Sequence, residues 1–153
     1  MEEWKEYKLE EVATPVKERI ETSVLNSSSY ISTENMLPNK SGVTQSSGVP
    51  SGNAVKFEAG DVLISNIRPY FKKVWRADKV GGCSTDVICL RATNEVEPLF
   101  LYYLLSQDLF FDYVMQGAKG TKMPRGDRNQ IMQWSIPSLK SPTKGYCFYT
   151  QIT

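Results

Sequence analysis

With 153 residues, 41% hydrophobic and 23% charged side chains and a net charge of +1, the chain suits one globular domain and matches neither a disordered segment nor a membrane span. It contains no histidine, which removes Ser-His-Asp and Cys-His nucleophile activation, histidine-ligated zinc and the usual neutral-pH general base, and favours a binding module over an enzyme. Three cysteines without CxxC spacing, and the acidic, polar start MEEWKEYKLEE, predict a reducing, cytoplasmic setting.

Residues 4–12 alternate loosely between apolar and charged and read as a short strand or irregular lead. Residues 30–33 give a brief β-like run. Residues 38–53, PNKSGVTQSSGVPSGN, form a long Gly/Ser-rich loop, a kind of segment that is usually functional or mobile. The best-defined β region runs from 54 to 91. It contains a strand at 55–57, a tight turn at Ala59-Gly60-Asp61 and a buried strand at 62–67 that Arg68-Pro69 breaks. A third strand over 70–77, a turn at Gly81-Gly82 and a strand at 85–90 follow.

The periodicity changes at residue 99. LFLYYLLSQDLFFDYVMQ is apolar nearly all round, which predicts one largely buried central helix starting near Pro98 and stopping at Gly117. GAKGTKMPRGDRNQ is a Gly-rich basic loop in which Asp127 is placed to cap a short helix through Met132. Residues 133–137 read as a closing strand, and SPTKGYCFYTQIT matches no element. The expected fold is α+β. A twisted, partly barrel-like antiparallel or mixed β-sheet packs on the central helix, with one domain at 1–139 and an atypical tail at 140–153.

Charge is segregated along the chain. Residues 1–40 carry eight acids and five bases, 41–92 seven bases and four acids, 93–116 four acids and no base, and 117–153 six bases and one acid. If folding sets residues 68–79 beside 119–128, a nearly neutral molecule gains one basic face able to meet a polyanion.

Most enzyme motifs fail on inspection. The stretch from Gly117 to Lys122 lacks the GxxxxGK[ST] pattern, so nucleotide hydrolysis is not expected. Ser141-Pro-Thr-Lys144 fits SxxK without its SDN and KTG companions. The ExK triplets at Glu3 and Glu6 have no upstream acid, and Asp61 with Asp86 does not make a two-metal site. Cys83 and Cys89 are expected to fill the β core. No metal or cofactor is expected.

Two loops carry binding chemistry instead. Around Gly120, glycine permits close approach to a nucleic-acid backbone, and Lys119, Lys122, Arg125 and Arg128 supply charge. A solvated basic loop is the plain alternative. Ser65-Asn66-Ile67-Arg68-Pro69-Tyr70 offers Asn66 and Arg68 for bidentate bonds to adenine and guanine edges, and Tyr70 for packing on a sugar or base. A structural turn is the plain alternative there.

The order of segments carries a family resemblance. Its pieces are Trp4 with Leu9 and Val12, YISTENM from Tyr30, FEAGDVLISNIRP from Phe57, CSTDVI from Cys83, LYYLL from Leu101, GTKMPR from Gly120 and WSIPSL from Trp134. In these the chain resembles a target recognition domain from the DNA specificity subunit of type I restriction-modification enzymes. The resemblance implies an α+β domain that reads one half of a split double-stranded DNA site through the major groove. It has no catalytic activity of its own and positions methyltransferase and restriction subunits.

On this reading Lys72, Lys73, Lys119, Lys122, Arg125 and Arg128 contact phosphates. Asn66, Arg68, Tyr70 and Thr121 lie toward the bases. After WSIPSL the family continues into a long spacer helix. SPTKGYCFYTQIT stands in its place, which suggests a truncated or frame-shifted half-subunit or an exchangeable cassette. The competing readings are a protein-interaction or regulatory module contacting partners through residues 1–21, and a metal-dependent nuclease using Asp61 or Asp86.

Overall fold

A computed structural model describes residues 7–136. Trp4, the ExK acids Glu3 and Glu6, Pro137 to Leu139 of the last family segment, the SxxK segment and the boundary expected after residue 139 lie outside the described residues.

Strand β6 (Val62–Ser65) and strand β9 (Val87–Ala92) pair antiparallel, with Leu63 opposite Cys89 and Ile64 opposite Ile88. Because successive side chains point to opposite faces, this pair serves two cores at once. Val62, Ile64, Ile88 and Leu90 face one cluster, whereas Leu63, Val87 and Cys89 face the other. The near-continuous apolar run VLIS therefore marks a strand buried on both sides.

Antiparallel partners β2 (Ala13–Pro15) and β7 (Val74–Arg76) complete a four-stranded sheet in the order β2-β9-β6-β7. A second sheet is also four-stranded. It is built from β3 (Arg19–Glu21), β4 (Tyr30–Ile31), β5 (Asn53–Phe57) and β8 (Gly81–Cys83), in the order β3-β5-β8-β4. Its β4–β8 pair is parallel, so the sheet is mixed. The short β1 (Tyr7–Lys8) pairs with β10 (Ser135–Ile136) and joins the two ends of the described chain. Helix α1 (Leu9–Val12) follows β1, sealing Leu9 and Val12 into the first cluster.

The α+β class stands, and the long loop at 38–52 holds no helix or named strand. Four finer expectations are corrected. The described strands form two four-stranded sheets and a two-stranded pair rather than one partly barrel-like sheet. The single central helix is two, α2 (Pro98–Leu105) and α3 (Asp108–Gln116). Ser106 Oγ donates back to the Tyr102 carbonyl at 2.6 Å, and Gln107 is extended at φ −76°, ψ 144°. The break lets Phe100, Leu101 and Leu104 of one helix, and Phe110, Phe111 and Val114 of the other, reach one cluster.

The strand expected over 70–77 is only β7, because Pro69–Phe71 forms a 3-10 turn flanked by left-handed Arg68 (φ 49°) and Lys72 (φ 55°). Gly81-Gly82 is not a turn but the body of β8. A Cβ on Gly82 would lie 2.7 Å from Leu25 Cδ1, and one on Gly81 2.6 Å from Phe57 Cζ. Here glycine allows strands to approach closely. Gly117 does end α3, and the Asp127 side chain accepts from the Asn129 and Gln130 N–H groups at the start of α4 (Arg128–Met132).

Candidate nucleic-acid interface

The two basic segments lie side by side. Beyond β6 the chain runs through Asn66 to Arg68 and pairs with residues 124–126. The Arg68 N–H donates to the Pro124 carbonyl at 2.7 Å, and the Gly126 N–H donates to the Asn66 carbonyl at 3.1 Å. Lys119 and Arg125 exchange two backbone bonds of 2.9 Å, which close residues 120–124 into a narrow loop with Gly120 at φ 98°. Glycine is suited to that left-handed backbone. Thr121, Lys122 and Met123 are exposed on this loop.

The 3-10 turn beside it presents Tyr70 and Phe71, 46% and 38% exposed, with ring centroids 4.8 Å apart. With Met123 at 48% they place apolar surface among the cations.

The candidate side chains differ in how free they are. Asn66 is buried, and its Nδ2 donates to the Gly126 carbonyl at 3.0 Å. Through this bond its amide ties the two loops together. Arg68 lies at the surface, with Nε 3.4 Å from the Lys122 carbonyl oxygen. Lys73 donates to the Thr33 carbonyl at 2.9 Å and sits over the Phe71 ring. Burial, then the neighbouring Arg68, push its pKa below the ordinary lysine value.

Lys72 shares the Asp108 carboxylate with Lys40, at 2.9 and 2.8 Å. The two lysines hold Asp108 down to about 2. Arg125 pairs with Asp86 at 2.7 Å, and Arg128 donates to the Thr85 carbonyl. Lys119 and Lys122 are exposed, with no side-chain hydrogen bond or ion pair to another described residue. Among the candidate cations named above, they are the most open to an external anion. A cleft of about 470 Å³ runs beneath the ridge, lined by Arg68, Lys73 and Phe71 but also by Glu34 and Asp86.

Sequence reasoning missed Lys40, Phe71 and Met123. Lys40 enters because the long loop is pinned to the turn: the Asn39 and Lys40 N–H groups donate to the Phe71 and Lys72 carbonyls at 2.8 Å. No local signal at residue 40 marks that contact.

The acids named for a nuclease are engaged elsewhere. Asp61 is 2% exposed and receives Arg91 in two bonds of 2.9 Å, while Asp86 holds Arg125. Among the described residues, no group of three or more His, Cys, Asp or Glu side chains could hold a metal, and no helix is long and apolar enough to cross a membrane. Cys83 and Cys89 are buried in the second cluster, where contact with Cys83 and burial raise the Cys89 thiol pKa.

No protein-family model matches the chain. The type I restriction enzyme EcoDI specificity subunit of Escherichia coli is 25% identical over 87 residues, covering 57% of this chain and 19% of that protein. The HsdS subunit from Thermoanaerobacter tengcongensis superposes with a TM-score of 0.59 at 20% identity, over 89% of this chain and 38% of that one. A chain from a structural study of type I R-M system assembly and conformational transition gives 0.64 at 21% identity, over 90% and 38%. The type I restriction-modification S subunit from M. genitalium gives 0.59 at 17% identity, over 88% and 34%.

This chain thus spans about a fifth of the curated relative and little more than a third of the solved chains. In fold over most of its described length, and in sequence over a shorter stretch, it is similar to part of a type I restriction-modification specificity subunit.

Proposed function

We propose that this domain binds double-stranded DNA sequence-specifically, as the target recognition domain of a type I specificity subunit. It reads one half of a split site through the major groove and directs methyltransferase and restriction subunits there, with no catalysis of its own. The observation that carries this reading is the backbone pairing of residues 66–68 with 124–126, which gathers two basic segments into one ridge. Lys119, Lys122, Lys73 and Arg128 would hold phosphates, while Arg68, Thr121 and Tyr70 face the base edges. Asn66 sets the spacing of the two loops. Lys72 and Arg125 act within their pairs with Asp108 and Asp86.

The test is duplex affinity measured across a salt series at low ionic strength, which offsets the weak grip of a half-site reader. Replacing Lys119 and Lys122 together by alanine is expected to lower the slope of log affinity against log salt by about 2, near 0.9 per phosphate contact. Selection from random duplex DNA is expected to enrich one short motif. An unchanged slope together with an unenriched pool would overturn the reading.

A further inference from the structure

We infer that a second cationic cleft, lined by Lys17, Arg19 and Arg128, grips the phosphodiester backbone of the same duplex beyond the ridge; the inference rests on the function proposed above. The cleft lies where the chain crosses from β2 in one sheet to β3 in the other, against Val55 and Ile88, and has a volume of about 380 Å³. Two segments distant in sequence, 17–19 and 128, bring its cations together, and no acid lines it among the described residues.

Three of the nearby acids are engaged elsewhere. Glu18 reaches Lys56 at 3.5 Å across the β3–β5 pair, Asp86 holds Arg125, and Asp127 caps α4. Lys17 and Arg19 are exposed, with no ion pair to a described acid. The cleft beneath the ridge, by contrast, carries Glu34 and Asp86.

Continuity with the ridge comes from the turn at 84–86. Thr85 lines the cationic cleft and accepts from Arg128, while Ser84 and Asp86 line the cleft on the other side. A strand of phosphates passing Lys119 and Lys122 can therefore continue over this turn to Arg128, Arg19 and Lys17. Three uncompensated cations hold a counterion atmosphere that a polyanion displaces, so their contribution is electrostatic and independent of base sequence. Arg128 also belongs to the basic loop of the ridge, whereas Lys17 and Arg19 sit in a net acidic stretch of sequence.

Two measurements on the whole chain test this. Replacing Lys17 and Arg19 together by alanine should reduce the salt slope by about 2 and weaken duplex binding roughly tenfold at fixed salt, without altering the motif selected from random DNA. In acylation footprinting, duplex should protect Lys17 along with Lys119 and Lys122 but not Lys79. Inorganic phosphate at matched ionic strength should not protect Lys17.

An unchanged slope with Lys17 unprotected, while Lys119 and Lys122 are protected, overturns this cleft and leaves the ridge standing. Protection of Lys17 by inorganic phosphate alone overturns the duplex assignment. Protection of no lysine by duplex overturns the cleft and the DNA-binding reading together.

Discussion

Asp108 and Asp61 show how differently two carboxylates act in one small domain. Asp108 sits at the exposed start of α3 and receives both Lys40 and Lys72. Its pKa is about 2 in the folded chain against an ordinary 3.8. A carboxylate with a depressed folded value adds stability that is fully present above pH 3.8 and is lost as pH falls from there through about 2. A carboxyl-carbon NMR titration should find that low midpoint, and alanine at both Lys40 and Lys72 should return it toward the ordinary value. A midpoint indifferent to the two lysines would contradict the clamp.

Asp61 is instead closed off from water, with its side chain 3% exposed against 40% for Arg91. It also accepts from the Glu58 N–H at 2.9 Å, fixing the turn before β6. Replacing Asp61 by alanine should cost about 3 kcal/mol in urea denaturation, the low end for breaking a buried pair, because Arg91 can still reach water. A metal-site role would predict little loss of stability.

At the scale of elements, close approach decides β8. Its partners β4 and β5 flank a strand whose first two residues have no side chain. Gly81→Ala would drive a methyl into Phe57 and the Ser29 carbonyl. The cost expected is about 1–3 kcal/mol, as for other overpacked sites. Gly48→Ala, where nothing lies within 4 Å, is the control and should be near neutral. Equal thermal stability of the two variants would refute the packing account.

The α2–α3 break follows a related logic. One straight helix over 99–116 would spread its apolar residues around its circumference, whereas two short helices aim seven of them, Phe100, Leu101, Leu104, Leu105, Phe110, Phe111 and Val114, at one cluster. The cue was present in Ser106-Gln107-Asp108, polar residues inside an apolar run. Composition alone does not say whether such residues face water from an unbroken helix or interrupt it.

For the whole molecule, a net charge of +1 conceals the arrangement of charge. Folding brings residues 66–73 beside 119–126 and leaves Lys119 and Lys122 without acidic partners, while Lys72 and Arg125 are matched by Asp108 and Asp86. On the function proposed above, attraction for a polyanion belongs to the cations without acidic partners on the ridge and its neighbouring cleft, and a salt slope should report that subset rather than the eighteen Lys and Arg of the chain.

The residues alone determined much of this protein. The absence of histidine removed histidine-dependent chemistry, the near-continuous apolar run at 62–67 marked a buried strand, and Asp127 announced the helix it caps. These are local properties, governed by side-chain chemistry and by the period of the backbone. Which charges are neutralised, which asparagine is buried and which cations share a cleft were decided only in three dimensions. The pairs Arg125–Asp86 and Lys72–Asp108 join residues 39 and 36 positions apart. Coulombic and hydrogen-bonding partners are set by distance in space, and one-dimensional spacing carries no measure of that distance.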